Sequence, residues 1–241
     1  MKVYLNKIDG IPDAITSMYF SKRTWTREKE EEIRMLCREV LDDNGFLRRD
    51  ADQELLAKYD KLFSMLLKMG KRHITLLRYI DFSFTVEGMH RAGQDDWDAH
   101  AKRYENRIIR SSTRLATYGP NEISEWYQDK IIPTDMALEM LKVILPDTIE
   151  KDGSTYVRAV NGYIRADMAD SPDVKRGLYM LSIPSNFIYK VNLTEFSHVY
   201  KERGNHGGAN PEVKILAERS VDELNAAQPR ITRELLMEIK N

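Results

Sequence analysis

YIDFSFTVEG, residues 79–88, carries the clearest structural pattern in the chain, because its apolar side chains recur at every second position. Phe82, Phe84 and Val86 lie on one alternation, and polar residues occupy the other. A period of two is typical of a strand with one buried face. The sequence therefore predicts a half-buried strand here, and such a strand needs both a partner strand and a covering layer.

The partner is expected from NFIYKVNL, residues 186–193, which is also strand-like. We expect the two strands to pair in an antiparallel sheet that helices cover, so that residues 1–241 form a single α+β domain. Periodicity and breaker residues predict the other elements. These are a strand in the first ten residues, helices at about 21–43, 53–69, 96–115, 134–143, 172–182, 211–225 and 230–240, a helix beginning near Thr194, and a hairpin or loop between 151 and 163.

Composition excludes several functional classes. Lys and Arg number 37 and Asp and Glu 38, which gives a formal net charge of -1. Bulk attraction to nucleic acid or to an acidic membrane is therefore not expected, and any anion site must be local. A single cysteine, Cys37, cannot form an internal disulfide, which predicts a reducing, cytoplasmic setting. The sequence also lacks an apolar run of about 18 residues, so no membrane span is predicted.

The stretch KRYENRIIRSSTR, residues 102–114, concentrates positive charge in this nearly neutral chain. Four of its cations are spaced four, three and four residues apart: Arg103, Arg107, Arg110 and Arg114. On the predicted helix they would form one stripe. Arginine suits phosphate because its planar guanidinium donates two parallel hydrogen bonds. The stripe is therefore either a phosphate site or an ordinary solvated helix face.

A second polar cluster lies in VNLTEFSHVYKERGNHGGANPEV, residues 191–213. It contains Asn192, His198 and Arg203, and the glycines that follow would let the backbone approach a ligand closely. The alternative is a helix-to-helix connection in which Arg203 meets the negative end of the helix dipole. The five histidines and the single cysteine show no metal-ligand spacing, so no metal site is predicted.

Taken in order, four segments of the chain resemble the flavin-dependent thymidylate synthases, and the resemblance spans about residues 65–225. The first is GKRHITLLRYIDFSFTVEG, residues 70–88, where His73 and Thr75 fall at places that hold FAD in the family. The second is the basic stretch, which resembles the signature R-H-R-x-x-S-x-N-x-x-S-x-R. Ser112 and Arg114 match its end and Lys102 meets its first arginine, whereas its middle positions differ.

The third and fourth segments lie within SPDVKRGLYMLSIPSNFIYKVNLTEFSHVYKERGNHGGANPEV, residues 171–213. Arg176 and Arg203 have the spacing of two arginines that hold dUMP in the family. Asn192 and His198 match positions near the flavin ring. The resemblance thus joins the basic stretch and the second polar cluster through one common ligand.

The resemblance implies a methyltransferase that converts dUMP to dTMP with FAD, methylenetetrahydrofolate and NADPH, in a homotetramer with shared active sites. The catalytic residues it implies are Arg203 and Ser112, which bind the nucleotide together with further cations: Lys102, Arg114 and Arg176. The residues it implies for the cofactor are His73, Thr75, Arg103, Arg107, Arg110, Asn192 and His198.

Two other hypotheses stay open at the level of sequence. The altered signature also fits a divergent relative that acts on another pyrimidine nucleotide. A protein without catalytic activity that binds nucleotides or nucleic acid would instead use the basic stripe as a backbone contact. The near-zero net charge, and the single aromatic residue in 102–114, count against nucleic acid.

Overall fold

The structure, a computed structural model, describes residues 1–100, 106–112, 122–171, 174, 178–179, 181–204 and 210–236. Its strands are β1 (Lys2–Asp9), β2 (Asp81–His90), β3 (Asn106–Arg110), β4 (Thr148–Lys151), β5 (Ser154–Ala159), β6 (Gly162–Arg165) and β7 (Pro184–Asn192). Its α-helices are α1 (Ile11–Ser21), α2 (Arg27–Val40), α3 (Gln53–Gly70), α4 (Arg91–His100), α5 (Thr134–Met140), α6 (Leu193–Val199), α7 (Pro211–Ala227) and α8 (Pro229–Ile231). Turns of 3₁₀ helix lie at Ile74–Tyr79, Glu125–Tyr127 and Ala166–Met168, and π-helical turns at Tyr200–Gly204 and Thr232–Leu236.

The two predicted strands are neighbours in a four-stranded sheet of order β1-β2-β7-β3. The Leu193 amide, just after β7, donates to the Ile80 carbonyl, just before β2, at 2.8 Å. Near the opposite ends of these strands, the Gly88 amide donates to the Asn186 side chain at 3.0 Å. The start of one strand therefore lies beside the end of the other, which confirms the predicted antiparallel α+β fold.

Aromatic packing explains why the alternation in β2 matters. Phe82, Phe84 and Tyr189 are fully buried. The Phe84 ring stacks on Tyr189 of β7 with centroids 4.9 Å apart and on Phe196 of α6 at 5.9 Å. Such pairs contribute about 0.5–1.5 kcal/mol each beyond the burial of their area. One face of β2 and β7 thereby becomes the core surface on which α6 rests.

Helix α1 is absent from the predictions, although its buried face is regular. Ile11, Ala14, Ile15 and Met18 are all buried and recur at three and four. The preceding Gly10 has a φ of 83°, and a Cβ at this position would collide with the Tyr79 carbonyl. A glycine is therefore required both by the left-handed backbone and by the close approach of the two segments.

The predicted helix over 96–115 is wrong for residues 106–112. Helix α4 begins earlier and ends at His100, and β3 occupies Asn106–Arg110. Adjacent β-branched Ile108 and Ile109 favour a strand. Since side chains alternate along a strand, Arg107 and Arg110, three residues apart, point to opposite faces. The helical stripe of arginines therefore does not form in the described part of the stretch.

The chain divides into two compact units, described here one at a time. The first comprises Met1, Glu87–Gln94 and Arg110–Asn186, and the second comprises Lys2–Val86, Asp95–Ile109 and Phe187–Asn241. In the first unit β4, β5 and β6 form an antiparallel sheet, which realises the hairpin alternative predicted around 151–163. No helix within the described ranges is long and apolar enough to cross a membrane.

The other predicted helices fit the structure in varying degree. Observed helices confirm those at 53–69 and 211–225, and α6 begins one residue before the predicted Thr194. The predicted helices at 134–143 and 21–43 are present but shorter, since α5 ends at Met140 and α2 covers Arg27–Val40. The predicted helix at 172–182 is wrong at its end, because residues 181–182 form a turn, and most of it lies outside the described residues. The described part of the helix predicted at 230–240 is helical, but it consists of the short helix α8 followed by a π-helical turn.

Candidate active site

The 3₁₀ turn Ile74–Tyr79 and helix α6 bring two of the predicted cofactor segments side by side in the second unit. The Thr194 hydroxyl donates to the Ile74 carbonyl at 3.2 Å. His73, which precedes the turn, and Thr75, within it, are both exposed. These two residues are therefore accessible to a ligand, and they lie on a segment that is tied to the start of α6.

Asn192, the last residue of β7, caps helix α6. Its side-chain oxygen accepts a hydrogen bond from the Glu195 amide at 2.9 Å, which satisfies one of the orphan donors of the first helical turn. Asn192 is buried, whereas His198 in the last turn of α6 is exposed. The predicted flavin-side residues thus mark both ends of one short helix, and Asn192 also has a structural role as the helix cap.

Arg203 lies in the π-helical turn Tyr200–Gly204 that continues α6. Such turns are rare and occur frequently at functional sites. The Arg203 side chain is only 18% exposed, and its Nε is buried with no hydrogen-bond acceptor among the described residues. Its nearest ion-pair partner is Asp96 of α4, whose carboxylate lies 3.7 Å from Nη2. A buried donor of a charged group without an acceptor is costly, so Arg203 is suited to an oxygen-bearing ligand.

Arg107, unlike Arg203, is exposed, and it is paired closely with a carboxylate. Its guanidinium donates to the Asp81 carboxylate at 2.9 Å and its side chain is 57% exposed. Lys190 of β7 contacts both Asp81, at 3.4 Å, and Asp9 of β1, at 3.3 Å. Burial acts to raise the pKa of Asp9, but hydrogen bonds from Lys7 and Lys190 outweigh it and lower the pKa. Arg107 thus ends a row of alternating charges across the sheet.

Ser111 and Ser112 follow β3 in the first unit. The Ser111 amide and hydroxyl both donate to the Asn186 carbonyl, at 2.8 and 3.0 Å, and the Ser111 hydroxyl lies 3.0 Å from that of Ser185. The Arg110 guanidinium donates to the Gln94 carbonyl at 3.2 Å. Ser112, one residue further, is exposed. The strand end before Ser112 is therefore held by several hydrogen bonds.

Several predicted site residues lie outside the described residues: Lys102, Arg103, Arg114 and Arg176. Two carboxylates that pair with predicted arginines, Asp81 and Asp96, were not predicted as part of a site. No sequence signal could have found them, because each pair joins segments that meet only in the fold. Among the described residues, no cluster of three metal-ligating side chains occurs.

Comparison with known proteins identifies a matching family and two structures of similar fold. A family model described as thymidylate synthase complementing protein, Thy1, matches residues 8–230. Two solved structures of the flavin-dependent thymidylate synthase ThyX from Helicobacter pylori, both with FAD and dUMP, are similar in fold. One has a TM-score of 0.58 at 14% identity over 100% of both chains. The other has a TM-score of 0.54 at 14% identity over 93% of this chain and 94% of that one. No curated protein sequence matches this chain.

Proposed function

The chain belongs to the family of thymidylate synthase complementing proteins, the flavin-dependent thymidylate synthases, and from this premise we propose that it methylates dUMP to dTMP. Methylenetetrahydrofolate would donate the carbon, FAD would be the cofactor and NADPH the reductant. The Arg203 side chain is the observation that carries the proposal. It is mostly buried on a π-helical turn, and its Nε has no acceptor in the part of the chain that the structure describes, which is the state expected of an arginine that awaits a ligand oxygen.

Arg203 would hold the nucleotide through its guanidinium. A fixed cation beside the uracil carbonyl favours the negative charge that develops as the ring carbon becomes nucleophilic, and a half-buried site strengthens this effect. Ser112 would contact the nucleotide as a hydrogen-bonding group. Lys102, Arg114 and Arg176 would neutralise the phosphate, which carries about two negative charges that several arginines can pair.

The residues proposed for the cofactor fit a large polar ligand. His73, Thr75 and His198 are exposed on two segments that are hydrogen-bonded to each other, so none must leave the core to reach a ligand. Asn192 would contact the flavin from the start of α6. Arg103, Arg107 and Arg110 would pair with the diphosphate. When bound and reduced by NADPH, FAD would supply the electron pair that reduces the transferred one-carbon unit.

The only cysteine has no place in this chemistry. Cys37 is buried in α2, and burial raises the pKa of its thiol to about 12. At neutral pH it is therefore protonated and a poor nucleophile. The work of the protein in this proposal is orientation and electrostatics rather than covalent catalysis.

We also propose a homotetramer with shared active sites, so that the residues around one nucleotide need not all come from one copy of the chain. Light scattering on the purified protein would give the oligomeric state. Mixing two inactive variants with changes at different proposed site residues should restore part of the activity. A monomer that is active at every concentration would contradict this assembly.

A cytoplasmic location stays a prediction from the single cysteine.

One experiment tests the central proposal. The purified protein, with FAD added, should show flavin absorption bands after removal of free cofactor. Incubation with dUMP, methylenetetrahydrofolate and NADPH should then yield dTMP, detected by mass. Failure to bind FAD would overturn the cofactor assignment. FAD binding with conversion of a different pyrimidine nucleotide would replace dUMP as substrate, which is the outcome expected of a divergent relative.

A further inference from the structure

Gln94 in α4 connects strand ends in the first unit. It is fully buried, and its amide nitrogen donates two hydrogen bonds, to the Met89 carbonyl at 3.2 Å and to the Ser185 carbonyl at 3.0 Å. Met89 lies near the end of β2, and Ser185 lies at the start of β7. The main-chain carbonyl of Gln94 accepts a hydrogen bond from Arg110, the last residue of β3. One residue thus contacts the ends of three strands.

The contacts of Gln94 lead directly to the end of the signature stretch. Ser185, which accepts from Gln94, has its hydroxyl 3.0 Å from that of Ser111. On the other side, the Arg110 guanidinium donates a hydrogen bond to the main-chain carbonyl of Gln94. Ser112 is the next residue along the chain, and in the proposed function it contacts the nucleotide. Gln94 therefore holds the backbone before Ser112 from two directions.

The Gln94 side chain is only partly satisfied. Because both donors of its amide are used on carbonyl oxygens, the orientation of the amide is fixed and Oε1 is left as an acceptor. That oxygen is buried and has no donor among the described residues. An unsatisfied buried acceptor offsets part of what the two donated bonds contribute. A methionine of similar shape would remove the donated bonds but also the unsatisfied oxygen.

We propose that Gln94 is a positioning residue that fixes the end of β3, and with it Ser112, for the reaction on the nucleotide. This proposal rests on the proposed function. The Gln94 side chain acts through its hydrogen bonds to the Met89 and Ser185 carbonyls, and Ser185 contacts Ser111; the bond from Arg110 goes to the main chain and is kept in side-chain variants. A misplacement of about 1 Å at a reacting group can cost roughly 100-fold in rate, so loss of these bonds should appear in kcat.

The test compares Gln94→Met with Gln228→Met. Gln228 is also fully buried, but both ends of its amide are used: Nε2 donates to the Gly45 carbonyl at 3.0 Å and Oε1 accepts from Tyr59 at 3.2 Å. Gln228→Met should therefore lower Tm by more than Gln94→Met, by several degrees on the scale of about 2–4 °C per kcal/mol. Only Gln94→Met should lower kcat, by about 10–100-fold.

A second variant separates positioning from a loss of fold. In Gln94→Glu the carboxyl can donate a hydrogen bond to a strand carbonyl only when it is protonated, and burial favours the protonated form. The activity of Gln94→Glu relative to wild type should therefore rise as the pH is lowered. The relative activity of Gln94→Met should stay constant with pH, because methionine does not titrate. Equal pH profiles for the two variants would overturn the proposal.

Hydrogen exchange gives a readout that does not depend on the reaction. Peptides that cover residues 110–112 should exchange faster in Gln94→Met than in wild type, whereas Gln228→Met should affect the region around Gly45. If wild type makes no dTMP but exchange changes as expected, the proposed function fails and the anchoring role of Gln94 stands. Unchanged exchange at 110–112, or a kcat equal to that of wild type, would overturn the positioning role.

Discussion

Arg107, from the basic stretch, and Arg203, from the second polar cluster, have opposite surroundings. Arg107, on strand β3, is 57% exposed and hydrogen-bonded to Asp81 at 2.9 Å. Arg203, on the π-helical turn, is 18% exposed and lies 3.7 Å from Asp96, and its buried Nε has no acceptor within the described ranges. The exposed arginine is thus the better paired of the two, and the more buried one is less completely satisfied.

This difference separates a structural ion pair from an arginine prepared for a ligand. An ion pair between exposed side chains contributes only about 0–1 kcal/mol to the stability of the fold. A mostly buried guanidinium has lost water, and its unused donor gains from any acceptor that enters. A ligand that contacts Arg203 satisfies an existing deficit, whereas one that contacts Arg107 must compete with Asp81. The predictions below test whether the two sites differ in this way.

The largest effect is expected for Arg203→Ala. Removal of a charged hydrogen-bond donor should weaken dUMP binding by about 1.5–3 kcal/mol, or roughly 10–150-fold in Kd. Isothermal titration calorimetry measures this directly. Arg219→Ala is a matched control, because it removes the same charge from an exposed position on α7. Equal dUMP affinity in Arg203→Ala and wild type would show that Arg203 is not in the nucleotide site.

Asp96→Asn should have the opposite sign. The Asp96 carboxylate compensates part of the Arg203 charge and repels an anionic ligand nearby. Its neutralisation should tighten dUMP binding by about 3–10-fold, which corresponds to roughly 1 kcal/mol for a partly screened charge. Asp222→Asn, at an exposed position of α7, makes the same change of charge away from Arg203. Weaker dUMP binding in Asp96→Asn would mean that the carboxylate instead orients the arginine.

The contrast also shows what the sequence could predict. The alternation of Phe82, Phe84 and Val86 identified β2, because a pattern within ten residues reports one buried face. The arginines themselves were found from motif spacing. Their availability was not, because it depends on Asp81 and Asp96, which come from other segments. Ion pairs between distant segments leave no periodic trace in a single sequence.

The basic stretch, residues 102–114, shows a second reason why part of the structure could not be predicted from the sequence. Its arginine spacing of four, three and four matched a helix, but the described part is a strand, a conformation that the adjacent Ile108 and Ile109 favour. Spacing of charges is compatible with several structures, since solvated side chains constrain the backbone little. Pairing beside β7 then overrides the helical pattern. The prediction failed where tertiary contacts, rather than local periodicity, determine the backbone.

A smaller effect is expected for Arg107→Ala. Because this arginine is exposed and already paired with Asp81, its loss should weaken FAD binding by only about 2–5-fold. Asp81→Asn, which releases the guanidinium, should tighten FAD binding by a similar factor if Arg107 reaches the diphosphate. Fluorescence titration of the apoprotein with FAD measures both. A loss above about 100-fold in Arg107→Ala would place this arginine on the same footing as Arg203.

The smallest effect concerns Asp9, at the other end of the charge row. Its folded-state pKa is lowered, because hydrogen bonds from Lys7 and Lys190 outweigh burial. A lowered pKa means that the stabilisation is present above the ordinary pKa of 3.8 and is lost as the pH falls through the folded-state value. Since the side chain is 36% exposed, screening limits the effect of Asp9→Asn to less than about 1 kcal/mol.

Urea unfolding at pH 7 and near pH 3 measures this difference between Asp9→Asn and wild type. The two proteins should differ slightly at pH 7 and converge at the lower pH, because the wild-type carboxylate is then becoming protonated. A difference that persists unchanged at low pH would reflect lost packing rather than charge. A difference of several kcal/mol at pH 7 would mean that the charge row is tightly coupled. Arg107 would then belong to a rigid structural network, and the contrast with Arg203 would be greater than the geometry alone indicates.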